Sequence, residues 1–163
     1  MSYKALDRID RAILAELQED ARVSNAELAR RVALSPSACL RRVRELEAQG
    51  VIRRHVSLLE PAAVGLPVSI FVQVTLERQA ETALEEFESE VLGLPEVMEC
   101  YLMTGDADYL LRVVVPDLPS YERLLMGHLT RVKGIASIKS SVSLKQVKYR
   151  TALPLNETTG ESA

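Results

Sequence analysis

SNAELARRVALSPSACLRRVRELEAQGVIRR, residues 24–54, predicts two short helices, a tight turn between them and a basic segment behind the second. Ser24 is a helix N-cap and Glu27 stands at the capping-box position three residues on. Leu28 and Val32 then recur at helical spacing. Ser35 is a second N-cap, followed by Pro36 at the first helical position, where a missing N–H costs nothing. Leu40, Val43 and Leu46 form one apolar stripe, flanked by Cys39 and Glu47, and Gly50 ends the helix. Two short helices joined in this way are the helix-turn-helix pattern, whose second helix enters the major groove of DNA.

The face of the second helix opposite the stripe carries Ser37, Ala38, Arg41 and Glu45. Small residues allow close approach to DNA, and an arginine fork matches the O6 and N7 acceptors of guanine. Ser35, Ser37, Ala38 and Arg41 are therefore expected at the DNA, the last three against bases. Arg42, Arg44, Arg53 and Arg54 are expected on phosphates, which position a protein without reading sequence. The plainer alternative is a solvated face in which these arginines pair with Glu45 and Glu47. Residues 22–54 hold eight Arg against three Glu, a net +5, while residues 61–163 carry nine basic and fourteen acidic residues, a net −5. Positive charge confined to one third of a chain of net −3 suits a binding module joined to a module with another task.

Within 163 residues there is room for one large core or two small ones. No apolar run approaches the length of a membrane span, and the opening MSYKALDRIDRAIL has acidic residues where a secretory leader has none. Cys39 and Cys100 are far apart and read as reduced thiols of a cytoplasmic protein. Neither they nor His55 and His128 have metal-ligand spacing, and no nucleotide-binding loop or nucleophile motif is present, so no metal, cofactor or catalytic residue is expected.

Asp7 caps a first helix with Leu6, Ile9, Ile13, Leu14 and Leu17 on its apolar face, and Val51–Leu59 reads as a wing strand. Residues 1–60 thus form a winged helix-turn-helix domain, and Glu60–Pro67, with two Pro and one Gly, marks a linker at 61–67. Beyond it, VSIFVQVTL (68–76) alternates as a strand, 80–92 is an amphipathic helix, and Val97–Thr104 and Tyr109–Val115 form a hairpin about Gly105-Asp106-Ala107-Asp108. Pro119–Val132 is a second helix and Ile135–Tyr149 a fourth strand. The order β-α-β-β-α-β predicts a ferredoxin-like domain over 68–150, making the chain α+β, with a C-terminal tail at 151–163. Phe71, Gln73 and Thr75 give the sheet a half-apolar open face, which a second copy would cover.

The chain resembles the Lrp/AsnC family (leucine-responsive regulatory protein/asparagine regulator) of bacterial transcription factors over residues 5–150. Three segments carry the resemblance in order: LDRIDRAILAELQEDARVSNAELARRVALSPSACLRRVRELEAQGVI, PEVMECYLMTGDADYLLRVVVPD and SIKSSVSLKQVKY. With the tail TALPLN, the last two look most similar to the branch that activates branched-chain keto-acid dehydrogenase operons. The resemblance implies double-stranded DNA as a partner, an amino-acid effector such as leucine or another branched-chain amino acid, and dimers that assemble into tetramers, octamers or larger bodies. It implies an effector bound between dimers, at the loop Thr104-Gly105-Asp106-Ala107-Asp108-Tyr109 and at positions matching Leu102, Asp108, Leu118 and Ser140, Ser141, Val142. The family often has a bulky residue where this chain has Ser141, which leaves the preferred effector side chain open.

The loop has a chemical reason of its own. A free amino acid needs an anion for its ammonium, which Asp106 and Asp108 offer, and N–H donors for its carboxylate, which the backbone about Gly105 offers. Gly-Asp-x-Asp is equally a good turn, so both readings stand. The sequence is best read as an amino-acid-responsive regulator of amino-acid metabolism genes. The competing functions are an architectural protein that compacts DNA with little sequence preference, and a small ferredoxin-like enzyme.

Overall fold

A computed structural model describes residues 5–155, in two compact units. Residues 1–4 of the expected DNA-binding domain and 156–163 of the expected tail lie outside the described residues.

The N-terminal unit holds α1 (Arg8–Glu19), α2 (Asn25–Arg31) and α3 (Pro36–Ala48). All three begin at side-chain caps: Asp7 accepts from the Asp10 N–H, Ser24 from that of Glu27 and Ser35 from that of Ala38. The reciprocal capping box is at Asp7 and Asp10; Glu27 instead turns to Arg30 and Arg31. Between α2 and α3 the chain reverses at Ala33, whose φ of 54° lies in the left-handed region. The Leu34 N–H closes the turn on the Ala29 carbonyl, and the Asn25 side-chain amide donates to the Pro36 carbonyl at 2.8 Å, tying the starts of the two helices together. Ile13, Leu14, Leu28, Ala29, Cys39 and Leu46 form the core.

Cys39 is fully buried and Leu40 is 38% exposed, which rotates the expected stripe of α3. At about 100° per residue, Cys39 and Leu46 point almost the same way and Val43 about 40° to one side, whereas Leu40 lies about 100° from Cys39. Cys39 is thus the centre of the seam rather than its flank.

The C-terminal tail belongs to this unit over residues 148–155. The Gln18 side chain both accepts from the Leu153 N–H (2.6 Å) and donates to the Leu153 carbonyl (3.2 Å), and Leu155 packs on the N-terminal core. The expected wing strand at Val51–Leu59 is not formed: Arg53–Glu60 pairs with no strand among the described residues and is exposed. Its sequence favours an extended backbone, but a strand needs a neighbouring ladder.

The second unit runs from Leu58 to Val147. A single 3-10 turn, Ala62–Val64, within the expected linker leads to β1 (Val68–Leu76), α4 (Glu81–Leu92), β2 (Val97–Leu102), β3 (Tyr109–Val115), α5 (Leu118–Gly127) and β4 (Ile135–Val142). The sheet is antiparallel in the order β2-β3-β1-β4, the expected β-α-β-β-α-β topology. Ile70, Val72, Val74 and Leu76 face Phe87 and Val91 of α4 and Tyr121 and Leu124 of α5 in one core. Tyr109, beneath α4, packs its ring against Phe87 with centroids 4.5 Å apart and the planes tilted by 38°, and donates its hydroxyl to Glu88.

Two expected elements are shorter than their patterns. The second helix ends at Gly127, with a separate 3-10 turn at Leu129–Arg131, because His128 leaves helical geometry (φ −127°, ψ −69°). The fourth strand stops at Val142 rather than Tyr149: its partner β1 begins at Val68, and Val142 already stands opposite Ile70.

Candidate DNA-reading and effector surfaces

The N-terminal unit positions α3 by two arginine staples. Arg42 donates to Asp7 and to Asp10, both at 2.7 Å, and Arg31 reaches Glu16 at 2.9 Å, so α1 is fastened to α3 and to α2. Asp7 is held below the usual carboxylate range, first by the Asp10 N–H and then by Arg42. Glu27, bonded to Arg30 and then Arg31, is held at about 2. Arg42 therefore differs from the other expected phosphate ligands: its guanidinium is spent inside the unit.

The rotated seam also fixes what faces outward. Arg41 lies about 200° from Cys39, with Ser37 and Arg44 on one side and Glu45 on the other. Ser37, Arg41 and Arg44 are exposed, and Ala38 is half-buried beside them. Arg41 bonds Glu45 at 2.7 Å on the open surface. An exposed i,i+4 pair is worth only about 0.3–0.5 kcal/mol, against about 1–3 for an arginine fork on guanine, so the Glu45 pair is the weaker of the two kinds of contact open to an arginine here. Ser35 is occupied as the cap, with its hydroxyl 3.3 Å from that of Ser37. Arg44, Arg53 and Arg54 make no ion pair among the described residues.

In the second unit the expected effector positions divide. Asp108 is buried, and both of its carboxylate oxygens are taken: one accepts from the Leu76 N–H at 2.7 Å, the other from the Gln79 side-chain amide at 2.6 Å. Its backbone closes the hairpin as well, donating to the Val74 carbonyl and accepting from the Met103 N–H. Of the two expected ammonium acceptors, Asp108 is thus the clamp that ties the loop to the end of β1, which is the turn reading of the motif. Asp106 is exposed; its carbonyl accepts from the Thr75 hydroxyl. Gly105 has a φ of 126°, and a side chain there would meet only open space.

Thr104, Asp106 and Ala107 line a pocket of about 230 Å³ with Gln73, Leu110 and Lys139 of the open sheet face. Leu102 lies at the same end, exposed. Leu118 and Val142 stand at the opposite end of the sheet, where β3 has ended and β4 stops. Ser140 faces the helices and bonds the Tyr121 hydroxyl, whereas Ser141 is on the open face opposite Phe71. Gln73 is expected only on the open face and Lys139 at no site, so neither is an expected effector residue. Strand alternation places each outward, but their adjacency depends on the β1–β4 register, in which they are directly opposed.

The described residues contain no group of three or more His, Cys, Asp or Glu placed to hold a metal, and no helix long and apolar enough to cross a membrane. Burial pushes the Cys39 thiol up, and burial followed by Glu88 does the same for Cys100, so neither has the character of an activated nucleophile.

Residues 6–53 match a winged helix-turn-helix DNA-binding model, and residues 69–153 match the Lrp/AsnC ligand binding domain. This chain belongs to the Lrp/AsnC family. Leucine-responsive regulatory proteins of Klebsiella pneumoniae and Escherichia coli K12 are 47% and 46% identical to it over 150 residues, 92% of each chain. A transcriptional regulator from Neisseria meningitidis, solved as a complex with L-methionine, superposes with a TM-score of 0.88 at 41% identity, covering 93% of this chain and 98% of that one. An AsnC family transcriptional regulator from Agrobacterium tumefaciens gives 0.87 at 43% identity, covering 92% and 97%. As a member of the Lrp/AsnC family the protein is a ligand-responsive, DNA-binding transcriptional regulator and not an enzyme.

Proposed function

We propose that the protein is an amino-acid-responsive, sequence-specific regulator of amino-acid metabolism genes, acting in the cytoplasm as a homo-oligomer. The observation that carries the DNA half is the outward face of α3, where Ser37, Arg41 and Arg44 lie exposed opposite the buried Cys39. Small residues and an arginine on a rigid helix supply direct readout, and Arg53 and Arg54 supply phosphate contacts. An apolar effector, leucine, another branched-chain amino acid or methionine, is supported by the names of the leucine-responsive relatives and by the L-methionine complex of the Neisseria protein.

The division of the effector positions supports a site completed between copies. The loop end and the Leu118–Val142 end of the sheet are separated by the seven residues of β3, about 20 Å at strand rise, far longer than a free amino acid. One effector meets both sets only where the loop end of one copy approaches the far end of another. Phe71 and Tyr101, exposed on the open face, supply apolar surface for the primary dimer, and such dimers then assemble further.

Arg41→Ala and Arg54→Ala test the DNA surface on a duplex carrying a binding site and on random duplex, across a salt series. Arg41→Ala is expected to cost about 1–3 kcal/mol on the site and little on random DNA. Arg54→Ala is expected to weaken both alike and to lower the salt slope by about 1. Unchanged site affinity in Arg41→Ala would remove α3's outward face from readout.

A further inference from the structure

The chain passes between its two units twice, after Ser57 and again after Val147, so the DNA-binding unit is joined to the sheet by two connections. The first runs through residues 53–59 and the second through 144–152. Neither backbone makes a hydrogen bond among the described residues. At the sheet the two lie side by side. The first leads into β1, and the second departs from the end of β4 beside it, where the Ser143 N–H donates to the Ser69 carbonyl at 2.9 Å. In the N-terminal unit they are fixed to different helices. The first leaves the end of α3, where the Ile52 N–H still bonds the Leu46 carbonyl. The second is fastened to α1 by the two hydrogen bonds between Gln18 and Leu153 and by the packing of Leu155.

Length and composition make the second connection a restraint. Seven residues span at most about 25 Å and nine about 32 Å, so the second connection is not slack beside the first. Residues 144–152, LKQVKYRTA, contain no Gly and no Pro. Val147, Tyr149 and Thr151 favour an extended backbone, and Lys145, Lys148 and Arg150 repel one another along it. A unit on one connection swings about that connection, whereas a unit held on both α1 and α3 does not turn freely about either. Whatever limits the unit limits the aim of Ser37, Arg41 and Arg44 on α3. A homo-oligomer that offers two such helices to one duplex engages both half-sites only at spacings its connections permit. Narrowing that range raises the effective concentration of the second helix at the matching spacing and removes it elsewhere.

We propose that residues 144–152 are a second tether that sets which half-site spacings the protein accepts. Spacing selectivity is then fixed by the length of this strap and its anchor on Gln18, separately from the base-reading residues of α3. The proposal rests on the reading of the protein as a sequence-specific homo-oligomer and adds to it a specificity determinant that touches no base.

Adding slack tests the tether without removing any contact. Gly-Ser-Gly-Ser inserted between Val147 and Lys148 of the full-length protein keeps both anchors and every side chain, and adds about 13 Å of reach. Affinity is measured at one salt concentration for three duplexes: a site enriched from a random-sequence pool, the same site with five base pairs inserted at its centre, and the same site with one half scrambled. Five base pairs turn the second half-site to the opposite face, since a helical turn takes about 10–10.5 base pairs. Wild type is expected to lose about tenfold or more on the respaced site, and the slack variant about threefold or less. Both are expected to bind the single half-site equally. The same insertion after Leu155, beyond the anchor, is expected to discriminate as wild type does. Wild-type discrimination in the slack variant, or the same collapse with the insertion after Leu155, would overturn the tether alone. Equal losses by the slack variant on single and paired sites would trace its effect to the fold of the DNA-binding unit and overturn the tether as well. A wild type indifferent to spacing would overturn the tether together with the reading of a homo-oligomer on paired sites beneath it.

Discussion

Asp108 shows how one carboxylate changes meaning once its neighbours are known. In the sequence it is half of a Gly-Asp-x-Asp loop that suits either a turn or a zwitterion. In the fold it caps the end of β1 from a hairpin about thirty residues away, and no local pattern announces that distance. Arg42 is a similar case: it looks like its neighbours Arg41 and Arg44, but its partners lie on α1, 32 and 35 residues upstream. Arg41, by contrast, was legible, because the helical period alone sets it against the core. Asp108→Ala leaves the buried Leu76 N–H without its acceptor, a loss of about 1–3 kcal/mol. Its thermal midpoint is expected to fall by several degrees, with any effector response lost through the displaced loop. Asp106→Asn should keep the midpoint and lose the effector. Calorimetric melting of both variants separates the roles, and an unchanged midpoint in Asp108→Ala would refute the clamp.

At the scale of elements, the helices of the N-terminal unit were readable because caps, proline and apolar spacing act within a turn or two. What the pattern could not deliver was pairing. Arg53–Glu60 has strand-like composition without a neighbouring strand among the described residues, and β4 ends two residues short of the start of β1, with Val142 opposite Ile70, rather than where alternation stops. The tail was the largest omission, since Gln18 and Leu153 are 135 residues apart. Among the described residues this core has six buried side chains, which is small, and the tail adds Leu155 to it. Ending the chain after Val147 removes two hydrogen bonds and the Leu155 contact, about 2–3 kcal/mol together. Hydrogen exchange in α1 is expected to quicken while β1 and β3 stay protected. Equal protection of α1 in both chains would show the tail to be ornamental.

Across the whole molecule, the α+β division was visible as a change of period, from helical spacing before residue 60 to strand alternation after 68, and as a change in the sign of charge. The pocket was not visible, because it is assembled from the register of three strands and a loop. Regulation requires that the effector bind one DNA-binding or assembly state better than another, and DNA must then shift effector affinity by the same factor. An architectural protein with the same basic helix would lack both this coupling and a large preference for particular sites. The most direct measurement is therefore the affinity of the full-length protein for a duplex enriched from a random-sequence pool, set against unselected duplex at one fixed salt concentration, with and without L-leucine or L-methionine. A sequence-specific, amino-acid-responsive regulator is expected to prefer the selected duplex by about a thousandfold or more, and one of the amino acids is expected to change that affinity severalfold. Equal affinity for both duplexes, unaltered by either amino acid, would contradict it.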